Sequence, residues 1–356
     1  MSRVRKVDFI IVGQGLAGSC LAMRLLGMGK TVWVMDQPQQ NTCSKVAAGL
    51  FNPITGMGIV KTWMAEEFFA ELFRFFPAME AKLGASFFYP MHLFRPFQNI
   101  EEQNNWMAKT ADKERNKFVK EVFTSARYPN IHNSFGGIEV NQSGYLDTNA
   151  FMGAVRSHLI ASDSYVEEVF SQDCLTIHSK RIIYNDVEAD KIIFCTGIES
   201  LAPYFHWLPI RPLKGETLQI SLGVKPEIIY NKGVYVVPTA EAEIYKAGAT
   251  YSLADLSKST SQAGRQELED KLNALLKDPY TVQGQEWGIR PTTVDRRPIL
   301  GPHPEYSNLV IFNGLGTKGV SLAPYFSNQL ANWLTEQGEI HKEVNINRFK
   351  PLYSRS

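Results

Sequence analysis

The stretch Asp8–Asp36 reads DFIIVGQGLAGSCLAMRLLGMGKTVWVMD, and its layout decides the fold. The apolar run Phe9 to Val12 ends in Gly13-Gln14-Gly15-Leu16-Ala17-Gly18. A helical pattern follows through Cys20, Ala22, Leu25 and Leu26 to Gly29, and a second apolar run, Val32 to Met35, ends in Asp36. Strand, glycine turn, helix, strand and acid in this order make a dinucleotide-binding βαβ unit. Gly13 allows the tight turn, Gly15 lets a pyrophosphate approach the backbone, and Gly18 lets the helix pack on the strand. The helix start at Leu16 and Ala17 offers free N–H groups and the positive dipole end to phosphates. Asp36 is placed to accept hydrogen bonds from ribose hydroxyls.

The rest of the composition narrows the class. The chain has 356 residues, 44% apolar, enough for a large core and one or two domains. Lys plus Arg total 37 against Asp plus Glu 36, so no global charge draws the chain to nucleic acid or to an anionic membrane. The four cysteines, Cys20, Cys43, Cys174 and Cys195, form no CxxC pair, which leaves metal and redox-disulfide readings without support. Cys20 and Cys195 read as small buried apolar residues. Arg3, Arg5 and Lys6 precede an apolar run, but Asp8 breaks it, so the start reads as mature and cytoplasmic rather than as a signal peptide. No apolar stretch approaches the roughly 20 residues of a membrane span.

Outward from the βαβ unit, the pattern alternates between α/β and β-rich sequence. Lys45 to Gly58 is rich in small residues. Thr62 to Phe76 has helical spacing of Phe68, Phe69, Leu72, Phe73 and Phe76 and is expected to end at Pro77; it reads as core-facing, with a peripheral membrane face as the sharper alternative. Phe87 to Phe97 reads as one strand, Glu101 to about Lys109 and Thr148 to Ile160 as helices. Lys191 to Cys195 is a fully buried strand ending in Thr196-Gly197. Leu218–Ile220, Ile228–Tyr230, Gly233–Val237 and Ile244–Gly248 predict an antiparallel sheet, Gln262 to Leu276 an amphipathic helix, and Asn308 to Asn313 a last strand before a final helix. The expected fold class is α/β with an α+β insert. A Rossmann-like nucleotide domain is assembled from residues 1–85, 145–210 and 285–356, and an antiparallel-sheet substrate domain from 86–144 and 211–284.

Two C-terminal stretches discriminate further: Trp287 to Pro302, WGIRPTTVDRRPILGP, and residues 313 to 324, NGLGTKGVSLAP. With the βαβ unit, Ala47-Ala48-Gly49, Gly144-Tyr145-Leu146-Asp147, Thr196-Gly197, Pro212-Leu213-Lys214-Gly215-Glu216 and Tyr235-Val236-Val237-Pro238, the chain resembles the FAD-dependent D-amino acid oxidase superfamily over nearly its whole length. Within it the look is nearest to glycine oxidase and to the FAD oxidase domain of the bifunctional tRNA wobble-uridine modification enzyme. GLGTKGVSLAP is similar to the latter, with Lys318 where an Arg is common. The Gly314 to Gly319 segment has no cysteine, so the FAD is expected to be non-covalent.

The resemblance implies a glutathione-reductase-like fold with FAD held by Gly13, Gly15, Leu16, Ala17, Gly18 and Asp36, by Ala48 and Gly49, by Val166 near adenine, and by Gly197. Gly314, Leu315, Gly316, Thr317 and Lys318 would line the isoalloxazine edge. Arg290, in GIRP, matches the position that clamps a substrate carboxylate, a role suited to a guanidinium's two parallel N–H groups; a structural ion pair is its alternative. Tyr235 matches a substrate-contacting tyrosine, with packing in a sheet as its alternative, and Tyr230 is a weaker candidate. Lys214 is expected to be exposed, with a place near the flavin as its alternative, and Asp295, Arg296 and Arg297 to form a turn or ion-pair cluster rather than a catalytic set. The implied activity is hydride transfer from the C–H beside a small amine's nitrogen to flavin, with imine hydrolysis and reoxidation by oxygen or another acceptor. Oxidative removal of a carboxymethyl group from a tRNA wobble uridine, a quinone-linked amine dehydrogenase, and a flavoprotein that binds without turnover are the competing readings.

Overall fold

In the computed structural model, which describes residues 4–37, 41–55, 60–108, 117–198 and 204–353, the expected βαβ unit is present. Strand Arg5–Val12 leads into helix Leu16–Gly27, and strand Val32–Asp36 returns parallel beside it with Phe9 opposite Val32 and Val12 opposite Met35. These strands sit in an eight-stranded sheet. Tyr165–Glu167 adds on one side at the edge, and Val187–Phe194 on the other, both parallel. Leu309–Asn313 then pairs parallel with the end of Val187–Phe194. The carboxyl ends Val12, Asp36, Phe194 and Asn313 therefore gather on one edge, where parallel α/β sheets place their ligands. Both faces are apolar: Ile11, Val34 and Ile193 pack under the helices, and Ile10, Met35 and Ile192 pack on the other side.

A second sheet of eight strands carries the antiparallel expectation. Its order is Tyr280–Thr293, Ile210–Leu222, Ile244–Gly248, Tyr235–Pro238, Ile229–Asn231, Leu93–Pro96, Gly137–Val140 and Val119–Phe123. Alternation along these strands sends Leu218, Ile220, Val236, Tyr245 and Ala247 to one face, where Leu268, Leu272 and Leu275 of helix Gln262–Leu275 cover them. The opposite face is turned toward the first sheet's loops.

Three local expectations are corrected. Phe87 to Phe97 is not one strand. Phe88–Pro90 pairs with Gly144–Leu146, while Leu93–Pro96 joins the large sheet, because the Met91-His92 step carries the chain from one to the other. Pro77 does not end its helix, which runs Ala65–Leu83 and stops at Gly84 in a left-handed conformation, φ 63°. A mid-helix proline costs about 3 kcal/mol; the buried stripe of Phe68, Phe69, Leu72, Phe75 and Phe76 offsets it, each side chain being 0–2% exposed. That burial also decides the face of this helix: it is core, not a membrane surface. Among the described residues no helix is long and apolar enough to cross a membrane. Lys214, the third, is buried rather than exposed and is treated with the site below.

Candidate functional site

The nucleotide cradle is built by close backbone approach. Gly13 takes φ 97°, and its N–H donates to the Met35 carbonyl at 2.8 Å, tying the turn to the second strand. A Cβ on Gly18 would overlap the Gly13 carbonyl, so only glycine lets the helix sit this close. Leu16 and Ala17 are buried at the helix start, and the Leu16 N–H donates to Ser44 Oγ at 3.3 Å. Asp36 accepts the Gln14 N–H at 2.9 Å and faces Arg156 at 3.5 Å. Burial raises its carboxyl above the usual range, with the Gln14 N–H and Arg156 opposing. Val166 lies beside Met35 on the edge strand, its side chain packed against the sheet.

The other loops on this edge are tied together by a residue that the sequence reading missed. Asn313 donates from Nδ2 to the Gly197 carbonyl at 2.6 Å and accepts the Gly314 N–H at 2.8 Å. Only its place at the end of an apolar strand marks it in the sequence. Gly316 N–H donates to the Pro291 carbonyl at 3.0 Å, which fixes the Gly314–Lys318 loop to the strand that carries Arg290. Helix Gly319–Leu334 begins directly after it. Lys318 Nζ reaches Thr55 Oγ1 at 3.1 Å and Thr62 Oγ1 at 3.2 Å, and burial lowers its ammonium from the ordinary value, with Arg296 and Arg297 adding to the shift. The Ala47-Ala48-Gly49 segment is pinned from both sides. Leu146 N–H donates to the Gly49 carbonyl at 3.1 Å, and Lys246 Nζ donates to the Val46 carbonyl at 3.0 Å while pairing with Glu286 at 2.9 Å. Lys246, at an inward position of an ordinary-looking strand, carried no motif signal.

Arg290 and Tyr235 come together on the face of the second sheet that looks at these loops. In antiparallel pairs directly opposite residues share a face. Arg290 stands opposite Leu213, Gly288 opposite Gly215, and Tyr235, Gly248, Thr217 and Glu286 form one row across four strands. The guanidinium lies over Gly215, where any Cβ would overlap it. Gly288 brings the sheet against Cys43 and Val46 of helix Cys43–Val46. Arg290 Nη1 is buried without a hydrogen-bond partner, and no carboxylate pairs with Arg290 among the described residues. The structural ion pair is therefore not what holds it. The Tyr251 ring, exposed at the outer edge, stands 5.2 Å from its guanidinium carbon. Tyr235 is half-buried, and burial pushes its phenol up while Arg290 pulls it down.

Other candidates lie elsewhere. Tyr230 points to the helix-covered face, its ring 5.9 Å from Tyr128. Lys214 is 1% exposed and also points to that face, where Nζ meets Asp255 at 2.6 Å, Ser257 Oγ at 2.9 Å and Glu216 at 3.4 Å. It was expected at the surface because lysine usually is; two carboxylates and a hydroxyl compensate its burial. Asp295 accepts the Arg297 N–H at 3.1 Å, so the turn is real, but its ion pair is with Arg348 and that of Arg297 is with Glu343.

The residues present fit FAD. A glycine cradle that a Cβ would fill, two helix starts, an acid at the end of the second strand, and Thr196 Oγ1, buried beside Gly13 with no partner, all face one edge. The chain spans about half the length of the curated relatives it matches. The bifunctional protein ThiO/ThiG of Nostoc sp. is 25% identical over 355 residues, covering 93% of this chain and 53% of the relative. The tRNA 5-methylaminomethyl-2-thiouridine biosynthesis bifunctional protein MnmC of Legionella pneumophila is 23% identical, covering 95% of this chain and 54% of the relative. The crystal structure of glycine oxidase from Geobacillus kaustophilus shares the fold with a TM-score of 0.79 at 19% identity, covering 97% of this chain and 99% of that one. Residues 8–333 match the family model described as FAD dependent oxidoreductase, and with a cradle of this geometry the chain belongs to that family.

Proposed function

We propose that the protein oxidises the C–N bond of a small amine or amino acid that carries a carboxylate. The observation that carries this reading is Arg290, a half-buried side chain whose Nη1 is buried and unpartnered on the face that looks at the nucleotide loops. A buried unpaired donor of this kind is costly unless a ligand completes it, and a carboxylate matches its fork. Arg290, held flat over Gly215, fixes one end of the substrate; the Tyr235 hydroxyl, kept neutral by burial, supplies a donor or acceptor beside it. Lys246 and Glu286 hold the Val46–Gly49 segment against the sheet, which sets the gap and excludes water. FAD, held non-covalently by the Gly13–Gly18 turn, Asp36, Ala48, Gly49, Val166, Gly197 and Gly314–Lys318, would supply the acceptor for hydride from the substrate's α C–H, the imine product then being hydrolysed. Oxygen or another acceptor must take the electrons afterwards.

A second reading is favoured by the MnmC match over 95% of this chain: the carboxylate-bearing amine is carried on a modified tRNA uridine. Arg290 would serve both substrates. An anaerobic visible-absorption titration with glycine, sarcosine, D- and L-amino acids, proline and carboxymethylaminomethyl-uridine separates them. Bleaching of bound flavin by a free amino acid supports the first reading, and bleaching by the uridine alone supports the second. A flavin that none of them bleaches contradicts both.

A further inference from the structure

The adenosine end of the cradle carries a side chain that no motif marked. Arg156 projects from helix Thr148–Ala161 to the carboxyl end of strand Val32–Asp36. Its guanidinium is held by its edges: Nε donates to Gln14 Oε1 at 3.1 Å, and Nη2 meets Asp36 Oδ2 at 3.5 Å. The orientation of the Gln14 amide is itself fixed, because Nε2 donates to Ser19 Oγ at 3.0 Å and to the Met152 carbonyl at 2.9 Å. The guanidinium carbon lies over the Tyr165 ring, 5.4 Å from its centroid. With Nε and Nη2 engaged and Tyr165 beside it, 28% of the side chain remains exposed. Beside it, the Tyr165 hydroxyl is buried without a partner.

We propose that Arg156 is an adenine shelf: a guanidinium plane, backed by Tyr165 and pinned by Asp36 and Gln14, on whose open face a purine ring stacks. The ligand chemistry follows from the geometry. A plane fixed in its own plane cannot turn its N–H groups up to meet an anion, but it presents a flat polarizable surface to a flat aromatic ring. The Asp36 carboxylate, shared between Arg156 and the Gln14 N–H, is within reach of the hydroxyls of the sugar attached to that ring. Arg156 thus distinguishes a dinucleotide from a flavin lacking adenosine. The inference rests on the assignment of FAD to this cradle and adds the residue that reads its far end.

Flavin-fluorescence titration of the apo-protein with FAD and with FMN, which has no adenosine, tests it without any turnover. The Arg156→Ala and Arg156→Lys variants are expected to lose about tenfold or more in FAD affinity, with FMN affinity unchanged. Lysine keeps the charge opposite Asp36 but lacks the plane, so wild-type FAD affinity in Arg156→Lys would show that charge alone matters and would overturn the shelf. Parallel loss of FAD and FMN would also overturn it, since the residue would then support the fold generally. Tyr165→Leu, which removes the backing ring from a neighbouring strand, is expected to weaken FAD in the same selective way. A wild-type chain that takes up neither flavin contradicts the cofactor assignment itself, and the shelf with it.

Discussion

At the scale of single residues, the proposed function divides recognition between two charged groups, and their surroundings make different predictions. Arg290 has no carboxylate partner among the described residues, so removing it leaves no buried acid behind. Arg290→Leu is therefore expected to fold and to retain FAD, while apparent affinity for carboxylate-bearing amines falls about 100-fold in steady-state kinetics. Unchanged affinity contradicts the clamp. Asp36 is the reverse case, a buried acid whose carboxyl burial has raised. Its sign follows from linkage. Above the ordinary aspartate range the folded apo-protein still holds a proton that the unfolded chain has lost, so this group's contribution to apo stability falls as pH rises through that window. Cofactor binding goes the other way, because only the carboxylate accepts hydrogen bonds from both Gln14 and ribose. FAD affinity is expected to rise with pH across the same window in wild type and to lose that dependence in Asp36→Asn; identical pH profiles would contradict it.

Elements show where sequence was informative and where it was not. The βαβ unit was legible because each of its parts has its own signature: two apolar runs, three spaced glycines and an acid. Gly18→Ala is expected to cost about 2 kcal/mol in denaturant unfolding and to weaken FAD, since the new methyl meets the Gly13 carbonyl. The two longest strands were not legible as such. Of Ile210–Leu222 only Leu218–Ile220 read as a strand, and PLKGE and WGIRP read as motifs, because prolines and glycines interrupt the alternation of both strands. Those glycines shape the candidate site: Gly215 leaves room for the Arg290 guanidinium, and Gly288 lets the sheet approach Cys43 and Val46. Strand Ile210–Leu222 hid Lys214, whose hydrophilicity argued for the surface while the buried Glu216 and, from the segment that covers it, Asp255 and Ser257 receive its ammonium. Lys214→Met should destabilise the fold by about 3 kcal/mol, by leaving Glu216 buried without its cation, and should loosen the segment up to Ser261. Amide hydrogen exchange confined to residues 250–261 checks this; protection equal to wild type would show that the Ser261 and Gln285 bonds to Glu216 suffice.

Over the whole molecule, the candidate site sits between two sheets that the chain visits in turn. We propose the division into a nucleotide domain of residues 1–85, 145–210 and 285–356 and a substrate domain of 86–144 and 211–284; strand Tyr280–Thr293 straddles that boundary, since it pairs with Ile210–Leu222 in the second sheet along its length. Arg290 lies near the end of that strand, and the Gly316 bond to Pro291 closes the cofactor loop on it. The substrate beyond its carboxylate was not legible in sequence, and Tyr251, the ring 5.2 Å from the Arg290 guanidinium carbon, belongs to an extended segment with no motif. What the proposed function commits to is a carboxylate held by Arg290 against bound FAD. The direct test is the rate of anaerobic flavin bleaching by an amino acid and by its methyl ester, in wild type and in Arg290→Leu. Wild type should prefer the free acid about 100-fold and the variant should lose that preference while still binding FAD; an equal preference in both proteins would contradict the account.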